Sequence, residues 1–412
     1  LIASSTSIPV PKIHAYAFGN GPEPFPSFLI LEYVEGRQIN YAELKALPDE
    51  QRTRLYASLA DIYIQLRRLV FPSIGRLKQS LAGPQVAKRN TSIDLNMQEL
   101  EGLDPSTIQD MYYGGSDTLC SASRYVAMLL DLADNAFARG RGTVSDVEQG
   151  RDRIYHLHMF RQYAQGWLND KLDHGPFVLA HGDLEIFNLI LDDDMDIISV
   201  LDWEWSRVVP LQLFRPPLWL DSTTIENLCH GARYRFYLDR FDSFLAVLRA
   251  RERERYGNEL LANEWNKQKQ KSGFMVSYAL EHWTAMDWFA NRYINLRVYG
   301  GKHDLPERVM AYVNDDPARQ ALVEQKVRDW DSYVAELEQL SRAESLEGQE
   351  TTTVTESQPP TAGSDQTFLP RASSILIPST TRGSRILIAW AGLFAVLAVA
   401  LTAYMIGERS LL

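Results

Sequence analysis

The chain has 412 residues, 45% of them hydrophobic and 23% charged, with a formal net charge of −11. That length allows more than one structural unit and a sizeable buried core, while the negative balance excludes sequence-independent binding to nucleic acid. The two cysteines, Cys120 and Cys229, suit a reducing compartment and have no metal-ligand spacing.

Leu1 to Ser7 is too polar to form the apolar core of a signal peptide. Ile8-Pro9-Val10-Pro11-Lys12-Ile13 predicts an extended, proline-set segment. The Gly and Pro density of Gly19 to Pro26 predicts a loop. Phe28-Leu29-Ile30-Leu31-Glu32-Tyr33-Val34-Glu35-Gly36 then predicts a buried strand running into a turn. From Asp49 to Phe71 the residues Leu55, Leu59, Ile62, Leu66 and Leu69 recur at three- and four-residue steps, the mark of an amphipathic helix, which Pro72 ends. Lys78 to Gly115 is irregular and polar, a loop with short elements. Ser116 is a candidate N-cap for a helix reaching about Arg139, and Val147 to Leu172 predicts another that delivers the chain to Gly175-Pro176-Phe177.

The next stretch, FVLAHGDLEIFNLILDDDMDIISVLDWEWSRVVP from Phe177 to Pro210, holds the chemistry. A short apolar strand ends in His181-Gly182-Asp183, and Asn188 lies five residues beyond Asp183. Leu189-Ile190-Leu191 and Ile197-Ile198-Ser199-Val200-Leu201 predict the arms of a hairpin, with Asp192-Asp193-Asp194-Met195-Asp196 as its turn. Asp193, Asp194 and Asp196 read as solvated turn residues rather than metal ligands. Asp202-Trp203-Glu204 closes the second arm. A loop followed by a hairpin folds Asp183, Asn188 and Asp202 back on each other. Phosphoryl transfer needs such a set: a group that orients the attacking hydroxyl, and oxygen ligands for a Mg²⁺ ion that keeps several of its waters.

Trp203, Trp205 and, beyond Pro210, Trp219 read as core packing rather than a ligand cage. Tyr234 to Arg251, Glu259 to Lys271, Gly273 to Asn295 and Pro317 to Glu347 predict helices. Arg251-Glu252-Arg253-Glu254-Arg255 reads as a solvated helix face, and His230, His282 and His303 have no metal-ligand spacing. Gly348 to Arg385 turns to Ser, Thr, Pro, Gln and Gly, a disordered linker. Ile386 to Ile406 is an uncharged, mostly apolar run long enough to cross a bilayer, with Trp390 and Tyr404 near its ends. Arg371, Arg382 and Arg385 before it put the bulk of the chain in the cytosol. The arrangement resembles a tail-anchored protein.

The HGD loop, Asn188, the hairpin and Asp202-Trp203-Glu204 together resemble the aminoglycoside phosphotransferase and choline-kinase-like branch of the protein-kinase-like superfamily, in its fungal-type form. The resemblance extends to Ile8–Ile13, to Ser73-Ile74-Gly75-Arg76-Leu77 and to Pro216-Pro217-Leu218-Trp219-Leu220. It implies an α+β, protein-kinase-like fold. An incomplete small lobe with the hinge would span 1–36 and a mostly helical large lobe 37–347, with the catalytic stretch at 177–210. The linker (348–385), the transmembrane helix (386–406) and a short tail (407–412) would follow. It implies Asp183 as catalytic base, Asn188 and Asp202 as Mg²⁺ ligands, the Glu32 carbonyl and Val34 amide as adenine contacts, His181 as a support and Glu204 as a structural anchor. Glu185 departs from the family pattern and adds negative charge that disfavours an anionic acceptor. No Gly-rich phosphate loop precedes Phe28, and Lys12 is misplaced for the phosphate lysine, so the chain reads as truncated at its N-terminus. The implied function is an ATP- and Mg²⁺-dependent, membrane-tethered phosphotransferase acting on a hydroxyl of a small molecule. A catalytically inactive, membrane-anchored binding module is the alternative. A metal-dependent hydrolase is disfavoured by the lack of a His-rich ligand set.

Overall fold

The computed structural model describes residues 1–17, 28–81, 83–222, 228 and 231–350. The chain divides into two units, Leu1–Leu346 and Glu347–Leu412. The expected transmembrane helix (386–406) and all but the first residues of the expected linker lie outside the described residues. Among those described, no helix is long and apolar enough to cross a membrane.

The first unit opens with a short helix, α1 (Ile2–Ser5), and an antiparallel hairpin of β1 (Ile13–Ala17) and β2 (Phe28–Leu31). α2 (Tyr41–Ala46) follows, with a capping box between Asn40 and Glu43. α3 (Asp49–Arg68) then buries Leu55, Leu59, Ile62 and Leu66, the predicted stripe, through the centre of the core. This helix ends earlier than predicted. Val70–Phe71 (β3) pairs with β6 (Phe177–Ala180), so a sheet partner takes the two residues that helical periodicity had claimed.

The stretch read as loop contains a hairpin, β4 (Arg76–Ser80) with β5 (Gly83–Lys88), and two helices, α4 (Ile93–Leu100) and α5 (Pro105–Tyr113). The next helix, α6 (Ala122–Arg139), starts later than expected. Ile74 and Leu119 bond reciprocally as an isolated bridge, which holds the chain extended past Ser116, and Ser121 is the cap, its hydroxyl accepting from the Arg124 amide at 3.1 Å. α7 (Val147–Trp167) is capped by Asp146. A three-stranded antiparallel sheet follows, ordered β3, β6, β9 (Arg207–Pro210), with every residue of β9 buried. β7 (Leu189–Leu191) and β8 (Ile197–Val200) form the predicted hairpin.

Helices follow: α8 (Gly231–Tyr256), α9 (Leu260–Gln270), α10 (Gly273–Ala279), α11 (Trp283–Phe289), α12 (Leu305–Asn314) and α13 (Pro317–Glu350). The single helix expected over 273–295 is broken at Glu281–His282. His282 caps α11, accepting from the Thr284 amide at 3.2 Å, and Glu281 turns in to two arginines.

The Arg251–Arg255 run is a solvated face only in part: Arg253, Glu254 and Arg255 are exposed, while Arg251 is half-buried and Glu252 buried. Arg251 grips Asp61 of α3 through two bonds, at 3.1 and 2.6 Å, and Arg255 joins it at 2.6 Å. Glu252 is 1% exposed and accepts from the amides of Leu261 and Ala262 at 3.0 Å each, so it caps the start of α9 from the preceding helix. Charge alternation cannot reveal this, because the partners are set by how α8 turns into α9. Removing that carboxylate strands two buried amides. Glu252→Ala is expected to lower unfolding free energy by about 3 kcal/mol, read from denaturant midpoints; a loss under about 1 kcal/mol would refute the cap.

Candidate functional site

The β6 strand carries Phe177 to Ala180 through the core and releases the chain at His181. His181 is 2% exposed. Its Nε2 donates to the Leu201 carbonyl at 2.8 Å, and its Nδ1 accepts from the Asp183 amide at 3.3 Å. Burial lowers its pKa to about 4, against the opposing pull of the Leu201 carbonyl and Asp202. The neutral ring therefore ties the His181–Asp183 loop to the end of β8. Gly182 sits at φ +91°, and a Cβ there would collide with the Trp205 carbonyl oxygen.

Asn188 donates from Nδ2 to the Asp183 carbonyl at 2.8 Å and to the Asp183 carboxylate at 3.0 Å. Both acceptors take the amide nitrogen, which leaves Oδ1 for another partner. The Leu201 amide donates to the Asn188 carbonyl at 2.9 Å, so the backbone of Asp202 starts one residue from Asn188. Asp202 is exposed and holds φ 59°, a left-handed conformation uncommon outside glycine and concentrated at functional sites. The three expected residues thus come together in one loop-and-hairpin unit. Asn188 Oδ1 and the Asp202 carboxylate are hard oxygen donors of the kind Mg²⁺ takes alongside substrate phosphates. Among the described residues no group of three or more His, Cys, Asp or Glu could hold a metal ion.

The hairpin acids behave as turn residues. Asp192 accepts from the amides of Asp194 and Asp196 at 3.0 and 2.9 Å, Asp194 pairs with Arg54, and Asp196 accepts from Ser58. Glu185 accepts from the Tyr41 hydroxyl at 3.4 Å. Glu204 is exposed and forms no hydrogen bond or ion pair among the described residues, so it is not the expected anchor. That role falls to Arg207, 3% exposed, which donates to the Trp205 carbonyl at 3.3 Å and pairs with Glu281; Arg215 meets the same carboxylate at 3.1 Å. Burial pushes the Glu281 pKa up, but Arg215 and Arg207 outweigh it and hold it at about 2. Of the tryptophans, Trp219 is core, Trp203 packs its ring on His181, and Trp205 is only half-buried.

The hinge segment departs from expectation in burial. Phe28, Leu29, Ile30 and Leu31 are all 42% exposed or more. A two-stranded hairpin cannot cover its own faces, and among the described residues no second layer does so. Lys12 is exposed and pairs with Glu32 at 3.9 Å. The Glu32 amide donates to the Lys12 carbonyl at 2.8 Å, while the Glu32 carbonyl and Val34 amide have no partner among the described residues. Two contacts invisible in the sequence tie the N-terminal stretch to the β7–β8 hairpin. Arg37 and Leu191 exchange both backbone bonds, at 2.9 and 2.8 Å, and the Val200 amide donates to the Pro9 carbonyl at 2.9 Å. Gly36 packs against Ile190 and Ile198 with no room for a side chain.

A family model described as "Phosphotransferase enzyme family" matches residues 1–211, just over half of the 412 and inclusive of the whole 177–210 stretch. No curated protein sequence matches. Among solved structures, the chain is similar to the aminoglycoside phosphotransferase APH(2'')-Ib bound to ADP, at 13% identity over 68% of this chain and 78% of that one, TM-score 0.28. It is similar to a Ralstonia eutropha protein assigned to the aminoglycoside phosphotransferases, at 15% identity over 70% and 79%, TM-score 0.33. It is also similar to APH(2'')-IIa in its gentamicin complex, at 14% identity over 69% and 77%, TM-score 0.29. Structural likenesses of this size say nothing about the chemistry of this chain.

Proposed function

The chain belongs to the phosphotransferase enzyme family, and on that premise we propose that it is a kinase-like, ATP- and Mg²⁺-dependent phosphotransferase of the aminoglycoside phosphotransferase type. It moves the γ-phosphoryl of ATP to a hydroxyl of a small molecule. Asp183 orients that hydroxyl and takes its proton. Asn188, through Oδ1, and Asp202 hold the ion, which when bound offsets the charge on the phosphate oxygens. The Glu32 carbonyl and Val34 amide receive the adenine edge. The apolar run 386–406 tethers the protein to a membrane as a single span, with the bulk of the chain on the cytosolic side.

The observation that carries this reading is the clamp on Asn188. Its side-chain amide nitrogen is held by Asp183 and its backbone carbonyl by the Leu201 amide, so Asn188 ties the proposed base to the residue that precedes Asp202. A second reading is an inactive membrane-anchored binding module, in which Lys12, exposed and paired with Glu32, takes no part in holding phosphate.

Thermal melts separate the two. Ligand bound to the folded state alone stabilises it by about 2.7 kcal/mol at a hundredfold excess over Kd. Mg²⁺ and ATP together are expected to raise the melting temperature by several degrees, more than ATP with a chelator. Asp202→Ala is expected to erase the Mg²⁺-dependent part and to abolish transfer of labelled phosphate. No shift at millimolar ATP would favour the binding module, and full turnover in Asp202→Ala would sink the metal assignment.

A further inference from the structure

A cavity of about 400 Å³ lies between the start of β4, the stretch after β5, α4, α5 and the turn that follows Asp202, a volume within the range of small-molecule sites. Glu204 and Trp205 line it, and the Trp205 carbonyl packs on Gly182 of the catalytic loop. The cavity therefore lies beside the loop that carries Asp183, with Trp205 between them.

The wall holds charges already matched and charges that are not. Arg89 pairs with Asp110 at 2.5 Å and lies over the Tyr113 ring. Arg76 donates from Nε to the Arg89 carbonyl at 3.1 Å and has no carboxylate partner among the described residues. Glu99 and Glu204 line the same space, both exposed, and neither forms an ion pair among the described residues. Behind them Asn90, 2% exposed, uses Nδ2 on the Tyr125 hydroxyl and the Val208 carbonyl, while its Oδ1 is buried without a hydrogen-bond partner among the described residues. Such an orphaned acceptor in a cavity wall marks a place where a donor is missing.

A ligand carrying one sign of charge leaves part of this wall unmatched. A singly cationic alcohol faces Arg76 with no anion to offer, and an anionic one meets Glu99 and Glu204. A zwitterion satisfies both: a guanidinium binds a carboxylate through two parallel bonds, and an ammonium gains from an aromatic face with a carboxylate beside it. We propose, on the phosphotransferase reading above, that this cavity is the acceptor pocket. Its ligand is a small hydroxyl-bearing zwitterion, the carboxylate on Arg76 and the ammonium at Trp205 and Glu204.

Three ring alcohols of similar size separate the charge classes by isothermal calorimetry on the full chain. trans-4-Hydroxyproline carries both charges, 3-hydroxypyrrolidine only the cation, and 3-hydroxycyclopentane carboxylate only the anion. Hydroxyproline is expected to bind at least about tenfold tighter than either of the others. Arg76→Gln is expected to erase its advantage over the cation, and Glu204→Gln its advantage over the anion. Glu99→Gln on α4 supplies the second reading should Glu204→Gln melt early. Equal binding of the three, a preference for the cation, or no binding of any probe at about 10 mM overturns the assignment. Binding needs no ATP, so it is read apart from transfer. If hydroxyproline binds with this selectivity and labelled phosphate never reaches its hydroxyl, the zwitterion pocket stands and the phosphotransferase reading falls.

Discussion

Asp183→Asn is expected to lower kcat for phosphoryl transfer by about a thousandfold, within the range lost when a positioned general base is removed. The change is nearly isosteric, and the asparagine oxygen can still accept from Asn188 Nδ2, which now holds the Asp183 carboxylate at 3.0 Å. The loop therefore keeps its shape. What disappears is the negative charge proposed to orient the acceptor hydroxyl and take its proton. Because Asp183 is assigned no contact with ATP, KM for ATP should stay within about twofold and the loss should fall on kcat alone. Single-turnover transfer from labelled ATP to an accepted alcohol measures it, with a thermal melt confirming the fold. Turnover within tenfold of the parent would remove Asp183 from the role of base.

The second large effect is expected at Glu281, where Glu281→Ala should cost about 3–5 kcal/mol of stability at neutral pH, the usual loss when one partner of a buried pair is removed. Arg207 keeps 4% of its side-chain surface exposed and would be left without a counterion. Arg215 and Glu281, each about a fifth exposed, can admit water, which places the loss toward the lower end. The effect should also depend on pH. The Glu281 pKa in the folded chain is about 2, below the ordinary glutamate value of about 4.3. A depressed carboxylate contributes stability that is fully present above the ordinary value and disappears as pH falls through the folded value. Denaturant curves should therefore show parent and variant converging as pH drops from about 5 toward 2. A gap that stays constant over that window would show that packing, not charge, is what Glu281 supplies. Because Arg207 also holds the Trp205 carbonyl against Gly182, activity should fall with stability. Glu281→Gln, which keeps the shape and one acceptor, should recover part of both.

How much could be read before folding depends on the reach of each interaction. Asp183 and Asn188 are five residues apart, and the bonds between them are those of a short loop, so their meeting was legible from type and spacing. The stripe on α3 and the β7–β8 hairpin were legible for the same reason, since period and turn chemistry are properties of neighbouring residues. The hinge strand was right in position and wrong in burial, because an apolar run says what a strand would cover but not whether a layer lies over it. The β3 segment was given to a helix because its partner, β6, lies more than a hundred residues on. Arg207 with Glu281, and Glu252 with the start of α9, carried no local mark at all. A carboxylate on a helix looks the same in sequence whether it meets water or a buried guanidinium; only the packing of distant helices removes the water and gives the charge its partner.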